Sequence, residues 1–163
     1  MRVYLGVTMT ELAAAVAHGG FGPPPLTAHA VTPALREWLV DGDQEELEYA
    51  ATEGAAHTSL QKVSADPRAP RRRVVVAADV PDAMVRPVAG QTRSTVEVQT
   101  AVRLSDVASV HVDEPAATEA VEAAVAALAR ASEDDTVTDE LAERELLWYA
   151  RQEIPDLLAE VTT

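Results

Sequence analysis

Two short strings carry residues whose spacing could do chemistry. Glu45, Tyr49 and Glu53 recur at intervals of four, and so do Glu145, Tyr149 and Glu153. Residues four apart share one face of a helix, so each string predicts a tyrosine flanked by two carboxylates. Two such faces brought together would make a polar seam of two phenols and four carboxylates. That seam suits a cationic ligand, an arginine-bearing partner or a metal ion. The more economical account buries the tyrosine rings with their hydroxyls hydrogen-bonded. The glutamates then stay solvated or pair with Arg36, Arg144 or Arg151. Arg36, Glu37, Trp38 and Trp148 lie near the strings in sequence. They complete a candidate ligand- or partner-binding set of Arg36, Glu37, Trp38, Glu45, Tyr49, Glu53, Glu145, Trp148, Tyr149 and Glu153.

Other constellations are weaker. Glu53 and His57 are four apart and could share a metal, but neither Glu-x-x-His nor His-Glu-x-x-His occurs, so no metal is expected. His57 reads as an exposed helix residue, and His29 and His111 as structural residues on strands. Gly19-Gly20-Phe21-Gly22 follows a helix and lacks the Gly-Lys-Ser/Thr of a phosphate loop. No Gly-x-Ser-x-Gly elbow is present. Asp79 and Asp82 stand just after a strand, where α/β proteins often keep catalytic carboxylates; helix capping explains them more simply. Arg68, Arg71, Arg72 and Arg73 form a basic cluster in an acidic chain. They could bind phosphate, but pairing with acidic helices or guarding a strand end is the simpler expectation. No catalytic residue and no cofactor follow from these patterns, and the balance leans away from an enzyme.

Composition narrows the classes. With 163 residues and 47 % hydrophobic side chains the chain suffices for one domain with a real core. A net charge of −14 repels phosphate backbones, which argues against nucleic acid and suits a partner with a basic surface. The absence of cysteine removes disulfides and thiolate chemistry. No secretory signal and no apolar run of about 20 residues is visible, so a cytoplasmic protein without a membrane span is expected. A homodimer is compatible with these features.

The elements that must position the candidates read as follows. Residues 2–8 form a strand. Thr8 or Thr10 caps a helix with Glu11 in its first turn, and Gly19-Gly20 ends it. Residues 26–32 are a second strand, and Thr32-Pro33 starts a helix that breaks at Asp41-Gly42-Asp43. A helix over 44–63 is weakened by Gly54. After a linker at 66–70, residues 71–78 hold three consecutive valines, predicting a central strand buried on both faces. A short helix opens at Asp79-Val80-Pro81-Asp82. Residues 95–104 alternate as a half-exposed strand, and 109–112 form another strand. Residues 115–131 make an alanine-rich helix, 132–138 an acidic loop, and 139–154 a last long helix stopped by Pro155.

Three correspondences suggest an internal repeat with halves 1–66 and 71–163 inside one domain. Arg2-Val3-Tyr4-Leu5 aligns with Arg73-Val74-Val75-Val76, the His29 to Ala34 string with His111 to Ala116, and Glu45 to Ala50 with Glu145 to Ala150. The expected fold is α+β: two pseudo-repeated β-α-β-α units sharing one mixed sheet, ferredoxin-like or related, with helices packed on it. An open α/β sheet is the alternative.

The opening Met-Arg-Val-Tyr-Leu, the strings at 30–38, 45–50 and 72–82, and Glu-Leu-Leu-Trp-Tyr-Ala-Arg-Gln-Glu at 145–153 resemble a small actinobacterial family of uncharacterised proteins. Gly6 stands where that resemblance implies proline. The resemblance implies a cytoplasmic actinobacterial protein and carries no catalytic residue. The function expected is that of a non-catalytic binding or adaptor protein. The alternatives are a small-molecule enzyme or ligand sensor with a cleft between the halves, using Arg36, Asp79, Tyr149 and Glu153, and an acidic mimic that occupies a basic protein.

Overall fold

A computed structural model of the chain describes residues 1–89, 91–130 and 135–162. Its centre is a pair of antiparallel strands, β1 (Arg2–Val7) and β4 (Val74–Asp79), in register from Arg2 opposite Asp79 to Val7 opposite Val74. Every β1 residue after Arg2 is buried, and so is every β4 residue before Asp79. The valine run therefore lies between two apolar layers, as its lack of alternation requires.

The chain adds strands outward on both sides. β3 (Leu26–His29) joins β1, β6 (Thr95–Val98) joins β3, and β5 (Val85–Pro87) forms that edge. On the other side β8 (Val107–Val112) joins β4, and β9 (Leu147–Ala150) forms the opposite edge. Each of these pairings is antiparallel. A separate two-stranded ribbon pairs β2 (Gly20–Phe21) with β7 (Val102–Arg103). The segment expected as one strand over 95–104 is thus divided between β6 and β7.

One face of the seven-stranded sheet carries α1 (Met9–His18) and α6 (Ile154–Thr162), whose Met9, Leu12, Ile154 and Leu157 pack with Val3, Leu5, Val76 and Val110. The other face carries α3 (Gln44–Ala65), beside the short α2 (Pro33–Trp38). α4 (Thr118–Ala129) and α5 (Asp135–Ala142) extend that layer, with Val121, Ala124 and Leu141 against Leu60 and Val63 of α3. The fold is α+β, with helices packed on a shared sheet. Within that class the pairing departs from the ferredoxin-like form. β1 and β3 are direct antiparallel neighbours, so no strand is inserted between them and the sheet is antiparallel rather than mixed.

Local signals place the helix ends. Thr8 and Glu11 form a capping box on α1, Gly19 ends that helix at φ 88°, and Thr32 caps α2 with Pro33 following. α3 approaches the sheet through small residues, Ala51, Ala55 and Ser59, all buried. A Cβ on Gly6 would stand 2.2 Å from the Ala55 carbonyl oxygen, so β1 needs glycine there. The Ser59 hydroxyl donates to Val7 O at 2.6 Å and accepts from Val74 N at 2.8 Å, tying helix and central strands together.

Gly54 weakens α3 by propensity but has a packing role. An added Cβ would lie 2.6 Å from His29 Nδ1 and 2.7 Å from Ser94 Oγ, which hydrogen-bond to each other at 2.8 Å. Gly54→Ala is therefore expected to destabilise the protein by about 1–3 kcal/mol through overpacking, against the ~1 kcal/mol that alanine adds in an open helix. Urea denaturation showing a more stable variant would contradict this account.

Several expectations are corrected. The third repeat correspondence has no structural equivalent, because Glu45 to Ala50 is helical whereas Glu145-Leu146 is irregular and Leu147–Ala150 is β9. No long helix covers 139–154. α5 ends at Ala142, β9 and a 3-10 turn follow, and Pro155 sits in the first turn of α6 instead of ending a helix. Proline is tolerated there because the N–H it lacks would be unbonded anyway. The acidic stretch 132–138 lies partly outside the described residues, and from Asp135 it is helical. Asp79 and Asp82 do not cap. Asp79 accepts from the Arg2 guanidinium at 2.8 and 3.1 Å, and Asp82 from the Met1 amine at 2.8 Å.

Candidate binding surface

α2, the turn after it and the first half of α3 enclose a broad shallow concavity of about 1110 Å³. Three large apolar side chains stand open on it: Trp38 is 58 % exposed, Val40 80 % and Tyr49 60 %. The turn exists because Asp41-Gly42-Asp43 stops α2 and starts α3, with Asp43 and Glu46 forming a capping box. That box commits one Glu46 oxygen to the Asp43 N–H at 2.9 Å. Asp41, Glu45, Glu46 and Glu53 rim the concavity.

As the four-residue spacing predicts, Glu45, Tyr49 and Glu53 lie along one flank of α3. The negative charge of Glu53 raises the Tyr49 phenol above its ordinary value, with burial and Glu145 adding to the effect and Arg73 opposing it. Burial likewise raises the Glu53 carboxyl, again opposed by Arg73. Tyr49 is thus a neutral phenol in an acidic surround. The Arg93 guanidinium carbon lies 5.2 Å from the centre of the Trp38 ring, a cation–π contact that holds the indole at the edge of the patch.

The remaining candidates divide. Arg36 and Glu37 are exposed on α2, and Arg36 Nη2 donates to Gln44 Oε1 at 3.4 Å. Glu145 reaches the field around Tyr49 from the turn before β9. Trp148 is 62 % exposed on β9, opposite His111, on the α3 face of the sheet. Tyr149 points the other way and packs, half-buried, against the α1/α6 core. It is not a mate of Tyr49, because successive strand residues alternate faces whereas the helical reading set them on one. Glu153 accepts from Ala150 N at 2.7 Å and is spent on the backbone.

The single polar seam of two helical faces therefore does not form, because Tyr149 lies on a strand. The packed-tyrosine account holds in part: Tyr149 is half-buried against the core and Glu45, Glu145 and Glu153 are exposed, whereas Tyr49 is open, Arg144 pairs with Glu114 at 3.3 Å and Arg151 donates to Ser105 O at 2.8 Å. The four residues expected to converge in a cleft, Arg36, Asp79, Tyr149 and Glu153, instead have separate partners on separate elements.

The sequence reading missed Val40, Asp41 and Arg93. Val40 had a signal, an apolar residue beside the Asp41-Gly42-Asp43 breaker. Arg93 had none, since only the fold brings its loop to Trp38. The basic cluster is not a phosphate site. Arg73 is 4 % exposed and donates to Asp113 through its Nε at 2.9 Å and Nη2 at 2.8 Å. Arg72 Nε reaches Asp113 O at 2.8 Å, and Arg71 Nη1 reaches Val63 O at 2.7 Å.

Among the described residues no group of three or more His, Asp or Glu side chains is gathered to hold a metal ion. Among them, too, no helix is long and apolar enough to cross a membrane. No curated protein and no solved structure matches the chain. A family model matches residues 1–158, nearly the whole length, and the chain belongs to that family of unknown function, DUF6912.

Proposed function

We propose that this protein is a non-catalytic binding module whose Trp38–Val40–Tyr49 surface docks a basic, apolar-faced segment of a partner protein. One observation carries the reading: three exposed apolar side chains sit together inside a rim of carboxylates. Tryptophan and tyrosine are the side chains that most often anchor interfaces, because they bury large area at small entropic cost. The rim of Asp41, Glu45, Glu46 and Glu53, with the charge of Glu145 acting on Tyr49, favours arginine or lysine around an apolar stripe and speeds encounter with it. A second copy of the chain is disfavoured at this face, since two acidic rims would meet on molecules each carrying −14. The same field disfavours nucleic acid. We place the protein in the cytoplasm of actinobacteria, on the resemblance of its motifs and on its acidic composition.

The test is an affinity capture from an actinobacterial lysate, paired with calorimetry using a synthetic peptide that alternates leucine and arginine at helical spacing. The unaltered protein is expected to bind the peptide. Trp38→Ala with Tyr49→Ala is expected to weaken it at least tenfold, roughly the loss of one anchor residue. Binding should also fall at ~1 M salt, where screening acts within about 3 Å. A double variant that keeps every captured partner and the same peptide affinity overturns the reading.

A further inference from the structure

The sheet parts at one place. Strands β1 and β3 are in register at Tyr4 opposite His29 and nowhere else among the described residues. Met1 and Val80 exchange both backbone hydrogen bonds, so along β1 the odd-numbered residues turn their N–H and C=O groups toward β4. Tyr4 and Gly6 therefore turn theirs toward β3. The Ala30 N–H donates to Ser94 O, so Leu26 and Ala28 serve β6, while Thr27 and His29 face β1. After Tyr4 and His29, the next pair would be Gly6 with Thr27. It does not form, and the backbone groups of both residues face the gap.

A cavity of about 370 Å³ occupies this opening, within the range of small-molecule sites. Gly6 and Thr27 both line it, with Phe21 and Leu26 as apolar wall. Two opposite charges stand together in its lining, Glu11 and the chain's only lysine, Lys62. Their separation is long, 3.4 Å between Nζ and Oε2, and both side chains are 40–45 % exposed. Glu11 Oε2 also accepts from the Thr8 N–H at 3.0 Å. His18 adds a further polar group: its Nδ1–H donates to Ala14 O at 2.7 Å, which leaves Nε2 as the ring's other contact point.

We infer that this split in the sheet is a binding site for a small zwitterion that carries an amide, a dipeptide being its simplest form. The amide would take the place of the missing strand pairing by bonding to the Gly6 and Thr27 backbone. Its ammonium would meet Glu11 and its carboxylate Lys62, replacing one long ion pair with two charge-assisted bonds. This site is independent of the Trp38–Tyr49 surface, and it differs from the cleft that sequence reasoning placed between the halves.

Amide-resolved NMR of the full chain, titrated with alanyl-alanine, tests it. The expected result is saturable shifts at Gly6, Thr27 and Lys62. The N-acetylated, C-amidated analogue, which keeps the amides and lacks both charges, should bind roughly tenfold more weakly or worse. Lys62→Met should do the same with an unchanged melting temperature. Glu11→Gln, which keeps the capping box, provides the matching loss at the ammonium end. The inference is overturned by the absence of saturable shifts, by shifts confined to Trp38 and Tyr49, or by a blocked analogue that binds as tightly as alanyl-alanine and a Lys62 variant that binds it as tightly as the unaltered protein.

Discussion

Asp113→Ala is expected to cost about 3–5 kcal/mol of stability, the largest loss from any single substitution considered for this chain. The Asp113 side chain is 1 % exposed and that of Arg73 4 %. The carboxylate accepts from the Arg73 backbone N–H at 2.8 Å as well as from its guanidinium. Removing it leaves a guanidinium buried beside β4 with only a 3.4 Å contact from Nη2 to Arg144 O. Desolvation of an unpaired ion is costly, whereas a matched pair roughly breaks even against apolar residues of similar size. The melting temperature should fall by on the order of 10 °C. Arg73→Met combined with Asp113→Leu is expected to lose less than either single change. Chemical denaturation of Asp113→Ala, Arg73→Met, Asp113→Leu and the double variant decides it: a mild Asp113→Ala, or a double variant worse than both of its singles, would show that the pair acts differently.

The second large effect is a pH dependence centred on His29. Its ring is buried, and the hydrogen bonds define the neutral form. Thr58 Oγ1 donates to Gly54 O at 3.2 Å, so it accepts from His29 Nε2–H at 2.8 Å, which leaves Nδ1 to accept from the Ser94 hydroxyl. Burial, with a smaller contribution from His57, lowers the imidazole from 6.5 to about 4. Between those values the unfolded chain binds a proton that the folded chain does not, so stability rises with pH. Protonation on unfolding thus removes about 3 kcal/mol as pH falls from near 6.5 to near 4. His111 works in the same direction, its imidazole lowered by burial and by Arg2. Carboxylates titrate in part of this window, so the measure is a difference. His29→Gln is expected to show a flatter decline in urea stability between pH 7 and pH 4.5 than the unaltered protein. Equal slopes would refute the assignment.

The history of particular residues shows which parts of this structure were legible. Thr8 with Glu11, Thr32 with Pro33 and Gly19 marked helix ends correctly, because a cap is a contract between residues three or four apart. The valine run at 74–76 announced a strand covered on both sides. The four-residue spacing of Glu45, Tyr49 and Glu53 did place them along one helical flank. The same string at 145–150 misled, since an apolar run such as Leu146-Leu147-Trp148-Tyr149 satisfies either period. Pairing with β8 across residues 109–112 decided it as a strand. Strings that look alike took different structures because a distant neighbour was present in one case and absent in the other. Arg73 was expected to pair with an acidic helix or guard a strand end for the same reason, its actual partner Asp113 being forty residues away.

The amino-acid order by itself determined the α+β class, the ends of α1 and the starts of α2 and α3, the central strands, the acidic surface and the presence of an aromatic–acidic face on α3. Those are consequences of local spacing and of composition, which act within a turn or a strand. The tertiary structure alone decided the strand order, the burial of Arg73 with Asp113, the turning of Tyr149 away from Tyr49, and the opening between Gly6 and Thr27. Each depends on which backbone or charged groups find partners across the sheet, and segments far apart in sequence settle that only when they pack.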